Sequence, residues 1–189
     1  MKLGQLYSQI AKPDKAVATY KRALEIYEEL KSVGGQQDAL VSMGNVNYAS
    51  GKKDEAEKNY EMALALYKRS GSDGGQARML VNLGQIYADR NDLDKSESFF
   101  EQARPLFRNI NDRPGEADAL KSIGEVNERK QYSKLTAITK YLDALELLRD
   151  LGDRKRQAEI LLALSRLYEG IGEKELAARY SAQAQIIPK

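Results

Sequence analysis

Carboxamides, carboxylates, hydroxyls and fixed cations are the chemistry this chain carries. It has 189 residues with no histidine and no cysteine. The usual general base, activated nucleophile and transition-metal ligands are therefore missing, and so is any disulfide. Catalysis by carboxylates alone would need a pair of acids with raised pKa values in a pocket, and no spacing in the sequence promises one. Phosphate loops and dinucleotide fingerprints are also missing, since "SDGGQA" is a turn before a helix with no strand ahead of it. These absences predict a protein that is not an enzyme and takes no metal or cofactor. What remains is recognition, and the residues best suited to it are Asn45 and Asn82. A carboxamide both donates and accepts hydrogen bonds, so it can pair with the backbone of an extended ligand without reading its sequence.

Those residues belong to a polar row. On a helical wheel of about 100° per residue, Arg78, Asn82, Gln85 and Asp89 fall opposite the apolar stripe of Leu80, Leu83, Gly84 and Tyr87. The matching polar positions elsewhere are Gln5 and Gln9; Asp38, Asn45 and Tyr48; Asp118, Lys121, Glu125, Glu128 and Arg129; and Glu159, Arg166 and Glu169. The first three sets offer mainly amides and a tyrosine. The last two hold five carboxylates against Lys121, Arg129 and Arg166, which favours a basic or mixed-charge ligand.

The row exists because the sequence repeats. Gly4, Gly44, Gly84 and Gly124 recur with Ser165 in the fifth place, at spacings of 40, 40, 40 and 41. A second register holds Ala16, Ala56, Ser96, Ala137 and Ala177. A third holds Tyr20, Tyr60, Phe100 and Tyr141, and a fourth Ala23, Ala63, Ala103, Ala144 and Ala184. Each unit reads as two amphipathic helices, the second exemplified by Phe99, Phe100, Ala103 and Phe107. Turn signals such as "SGKKD", "GSDGGQ" and "NDRPGE" separate them, and Pro114 suits a first helical turn. Nothing alternates with period two, so no strand is expected. A mid-helix glycine costs roughly 1 kcal/mol relative to alanine, and its recurrence implies that close approach of the second helix at the alanine register offsets that cost. Asn47 and Asn127 stand where other units have tyrosine, which predicts looser packing there.

These registers resemble the tetratricopeptide repeat, with leucine-glycine-two-tyrosine in a first helix and alanine-three-aromatic-two-alanine in a second. The period of 40 resembles the longer-helix class of Pins-like and kinesin-light-chain-like adaptors. The resemblance implies an all-α fold, a right-handed solenoid of stacked antiparallel helix pairs. It implies one domain over residues 1–189, with repeats over 1–30 (short at its N-terminus), 31–70, 71–110, 111–151 and 152–189. It further implies a concave groove, lined by the first helices, that binds a peptide segment or partner helix without catalysis. The groove residues are then Asn45, Tyr48, Arg78, Asn82, Gln85, Asp89, Lys121, Glu125, Arg129 and Arg166. Chaperone-binding members use two lysines and an arginine as a carboxylate clamp, and here those positions hold Val41, Asp118 and Ser122.

The remaining expectations concern partners and setting. A net charge of +2 gives no field for nucleic acid, and the basic run "DRKRQ" at Asp153 reads as a solvated loop between repeats. No run of about 18 apolar residues and no secretory leader is present, so no membrane partner is expected and the default location is cytoplasmic. Neither end carries a polar capping unit. An apolar stripe of Leu176, Tyr180 and Ile187 on the last helix is the candidate for self-association, an alternative role as a scaffold that forms homo-oligomers.

Overall fold

The computed structural model describes residues 1–130 and 133–186, and these form ten α-helices and no strand. In chain order they are α1 (Lys2–Gln9), α2 (Pro13–Glu29), α3 (Val33–Ala49), α4 (Lys53–Arg69), α5 (Asp73–Asp89), α6 (Leu93–Asn109), α7 (Arg113–Arg129), α8 (Lys134–Asp150), α9 (Arg154–Gly170) and α10 (Lys174–Ile186). The chain divides into two compact units, Met1–Ile86 and Tyr87–Lys189.

The backbone repeats every twenty residues rather than every forty. Helices of seventeen residues alternate with short turns, and each described turn holds one residue in the left-handed region: Ala11, Lys31, Gly51, Gly71, Asn91, Asn111, Gly152 and Gly172. Only glycine and, to a lesser degree, asparagine take that conformation cheaply, so Ala11 and Lys31 are strained by the demand for a uniform turn. Starts are set by side chains. Ser32, Ser72, Asp112 and Asp153 each accept a hydrogen bond from the backbone N–H three residues on, capping α3, α5, α7 and α9. "DRKRQ" is accordingly not the solvated loop that its charge suggested. Asp153 is the cap and Arg154–Gln157 are the first turn of α9, with Arg156 paired to both Asp153 and Asp118.

Gly4, Gly44 and Gly124 of the periodic set each face an aromatic ring, not the alanine register. A Cβ on Gly4 would lie 2.5 Å from Tyr20 and one on Gly124 would lie 2.7 Å from Tyr141, while one on Gly44 would run into Tyr60. The rings are buried against the bare backbone of the first helix. Sequence periodicity did not expose a second set of such contacts. Gly35 lies against Tyr27, Gly75 against Tyr67 and Gly115 against Phe107, joining the end of one helix pair to the start of the next. Alanines at the small registers (Ala16, Ala56, Ala63, Ala103, Ala137 and Ala144) are fully buried between helices.

Asn47 and Asn127 are both buried, and Asn127 is not left loose. Its Nδ2 donates to Glu97 Oε1 at 2.7 Å and to the Ile123 carbonyl at 3.0 Å. Burial alone would raise the Glu97 pKa, but hydrogen bonds from Lys130 and Asn127 outweigh it and hold the carboxyl below its usual range. In the third and fifth repeats the tyrosine at this register stacks on a second ring, Tyr87 on Phe99 at 5.4 Å and Tyr168 on Tyr180 at 5.2 Å.

Gly44→Ala should lower stability by about 1–2 kcal/mol in urea denaturation, because displacing a buried ring outweighs the roughly 1 kcal/mol gain in helix propensity. Gly34, one position before the close contact at Gly35, meets nothing within 4 Å. Gly34→Ala should therefore stabilise by about 0.5 kcal/mol in the same experiment.

Candidate functional site

Polar faces of first helices line a cavity in each unit. In the second unit, Lys121, Glu125 and Glu128 of α7 and Glu159, Ala163 and Arg166 of α9 surround a cavity of about 340 Å³ floored by Tyr141 and Ile160. Lys121 Nζ donates to Glu159 Oε2 at 3.3 Å and pairs with Glu125 at 3.5 Å, tying α7 to α9. Burial works against its ammonium charge, but the two carboxylates outweigh that and raise its pKa. Tyr141 donates its hydroxyl to Glu128 Oε2 at 3.0 Å, and its own pKa is pushed up by burial and by Glu128 and Glu125. Arg166 meets Glu128 at 3.7 Å with its side chain largely in solvent, so it is weakly held. Three carboxylates against two cations leave the lining one charge negative.

In the first unit, Asn45 sits with Gln5 and Gln9 around a cavity of about 450 Å³ whose lining carries no charged residue. Tyr60 donates its hydroxyl to Asn45 Oδ1 at 2.8 Å. Tyr48 lies half-buried close enough to Tyr60 to raise the pKa of that phenol further.

The structure thus brings Lys121, Glu125 and Arg166 together and seats Asn45 in the other cavity. The remaining residues of the polar row are distributed differently. Arg78 is exposed and hydrogen-bonded to the Tyr67 hydroxyl, near Asp38. Asn82 is half-buried on α5, while Gln85 and Asp89 are exposed and have partners within the protein. Arg129 does not line the α7–α9 cavity. Its Nη2 donates to the Ala88 carbonyl at 2.8 Å and to Asn91 Oδ1 at 3.0 Å, fastening the turn after α5. Asp118 is occupied by Arg156 at 2.7 Å. On the last helix Leu176 is half-buried and Tyr180 is stacked on Tyr168, so much of the stripe expected to lie open is used inside the α9–α10 pair; Ile187 lies outside the described residues.

Sequence reasoning missed two features. The Tyr141 and Tyr60 hydroxyls reach the groove residues, whereas their register suggested packing alone. Glu116, placed by its position in the first turn of α7, is buried and takes Arg108 through Nε at 3.0 Å, with Arg104 at 3.6 Å. A carboxylate at a helix start eight residues after an arginine is the only signal the sequence offers. Among the described residues, no group of three or more acidic side chains is placed to hold a metal ion, and no helix is long and apolar enough to cross a membrane.

Paired helices, with α2 to α9 all seventeen residues long, joined by glycine–aromatic contacts and presenting polar first-helix faces, define an all-helical repeat protein. Tetratricopeptide-repeat family models match residues 1–30, 36–109 and 75–134, and the chain belongs to that family. No curated protein matches it. Solved structures share the fold at low identity. BtubC (BKLC) from P. vanneervenii is 19% identical with a TM-score of 0.88, over 98% of this chain and 76% of that one. The kinesin-light-chain TPR-like repeats of Podosopora anserina are 15% identical with a TM-score of 0.70, over 98% and 92%. The Rap conjugation gene regulator of plasmid pLS20, in complex with the Phr* peptide, is 17% identical with a TM-score of 0.67, over 96% and 50%.

The Tyr60 environment gives a pH dependence. Burial, the first cause, and Tyr48 push its pKa from 10.0 to about 12. A raised folded-state pKa means that its contribution is complete below pH 10 and is lost as the pH rises towards about 12. Over that window Tyr60→Phe should fall less steeply than the parent chain by about 1.4 kcal/mol per pH unit, read from urea midpoints.

Proposed function

We propose that this chain is a non-catalytic binding module that holds a peptide segment or helix of another protein against its first helices, with a ligand of basic or mixed charge in the second unit. The α7–α9 cavity carries the reading. Glu125, Glu128 and Glu159 ring a floor of Tyr141, Ile160 and Ala163, and the cations opposing them are in partly exposed pairs. Such pairs are worth about 0–1 kcal/mol each, so an incoming lysine or arginine can replace them at little cost. The Rap regulator with its Phr* peptide, a protein of the same fold, supports peptide binding as the mode. Nucleic acid and membrane are not among the proposed partners, and the cytoplasm is the default setting for the module.

A fluorescent octapeptide of alternating lysine and alanine tests this. Glu128→Gln combined with Glu159→Gln should weaken its binding about three- to tenfold and flatten the salt dependence, with the circular dichroism spectrum unchanged. An affinity equal to that of the parent chain would sink the assignment.

The second reading is a scaffold that self-associates through its ends, and one observation favours it. Leu6 is 51% exposed, whereas Val46, Ile86, Val126 and Leu167, at the same place in later repeats, are 7%, 0%, 2% and 4% exposed. Val46 packs against Ala16 and Tyr20 of the preceding pair, so the surface around Leu3 and Leu6 is shaped to receive a helix pair. Light scattering over a concentration series should then show assembly that Leu6→Glu abolishes. A concentration-independent monomer mass rules it out.

A further inference from the structure

The cavity of the first unit differs in kind from the one on α7 and α9. Its walls are Gln5, Ser8 and Gln9 of α1, Tyr20 of α2, and Ser42, Asn45 and the aliphatic Val46 of α3. Nearly a third of the chain is charged, at 31%, yet none of these residues is.

Their hydrogen bonds divide into two groups. The Ser42 hydroxyl donates to the Asp38 carbonyl at 2.7 Å and is also bonded to Tyr20. Asn45 gives its oxygen to Tyr60 and keeps its two Nδ2 hydrogens. Gln5, Ser8 and Gln9 form no side-chain hydrogen bond to any described residue. Three hydrogen-bonding side chains from successive turns of α1 therefore converge, uncommitted, on one cavity opposite an amide donor on α3.

Physical chemistry narrows what could occupy it. A charged group placed there meets no opposite charge in the lining. An apolar side chain makes no hydrogen bond with the glutamines, which stay solvated on the exposed face of α1. A carboxamide has two donor hydrogens and an acceptor oxygen, matching the glutamines bond for bond and satisfying the Asn45 donors.

We propose that this cavity is a subsite for a carboxamide side chain, glutamine or asparagine, of an extended partner peptide, and that it rejects lysine, arginine and carboxylates at that place. The inference rests on the reading that first helices hold peptide, and it adds a selectivity opposite to that of the α7–α9 cavity.

Three labelled heptapeptides of alternating serine and glutamine, serine and lysine, or serine and glutamate, titrated against the full chain by fluorescence polarisation, test it. The glutamine peptide should bind the first unit at least about threefold more tightly than the glutamate peptide. Its affinity should change less than about twofold between about 50 and about 300 mM salt. Gln5→Ala with Gln9→Ala, on the exposed face of α1, should abolish that binding. Gln9→Glu should weaken glutamine-peptide binding and strengthen lysine-peptide binding, while Glu128→Gln with Glu159→Gln leaves glutamine-peptide binding unchanged. Equal affinity for the glutamine and glutamate peptides, or glutamine binding that survives Gln5→Ala with Gln9→Ala, overturns the subsite. If only the lysine peptide binds, and does so through Glu128 and Glu159, the subsite is wrong and the groove reading stands. If no peptide binds, both fall.

Discussion

The contact between a glycine backbone and an aromatic ring is what the rest of this protein depends on. Gly4, Gly44 and Gly124 admit the rings of Tyr20, Tyr60 and Tyr141, and Gly35, Gly75 and Gly115 admit Tyr27, Tyr67 and Phe107. The first set closes three helix pairs on themselves, and the second joins the end of a pair to the start of the next. In both, the missing Cβ lets a flat ring lie where two helices would otherwise be held a side chain apart. The contacts explain why a helix-weakening residue is kept at these places, since the area buried by each ring more than offsets the propensity lost.

The same contact positions the polar groove. A tyrosine laid across a first-helix glycine has its hydroxyl beyond the helix edge, where the polar face begins. Tyr20 reaches Ser42 there, Tyr60 reaches Asn45 and Tyr141 reaches Glu128. Packing and the polar faces are thus coupled through single side chains, whose rings are buried and whose hydroxyls meet polar residues of the first helices. The third repeat has Phe100 at this register. Its ring is buried like the others but has no hydroxyl to hold a groove residue.

The fifth repeat keeps the helices and changes the means. Ser165 replaces the glycine and donates its hydroxyl to the Ala177 carbonyl at 2.9 Å, while Tyr168 and Tyr180 stack where no ring-on-glycine contact is available. Repeats two and four, with Asn47 and Asn127 in place of that tyrosine, have no aromatic opposite it: Asn59 and Lys140 stand where Phe99 and Tyr180 do. At this pair of positions repeats three and five carry two aromatics, repeats two and four carry none, and the first has Tyr7 opposite Thr19. The expectation of looser packing treated the asparagine as a lost ring, whereas Asn127 is the centre of a polar cluster with Glu97 and Lys130.

The sequence alone determined the number and type of helices, their pairing and the sidedness of the first helices, because these follow from apolar spacing and a repeated small-residue register, which are local quantities. It also placed Asn45, Lys121, Glu125 and Arg166 on the polar faces that line the two cavities described, since a helical wheel separates faces reliably. Only the tertiary structure decided which side chains are committed to partners within the protein. Arg129 goes to the turn after α5, Asp118 to Arg156 and Tyr180 to Tyr168, while Gln5 and Gln9 stay uncommitted. The physical reason is distance along the chain. Arg129 lies 41 residues from Ala88, and Arg156 lies 38 from Asp118. A wheel drawn for one helix shows where a side chain points, but the stacking of the next helix pair determines what it meets.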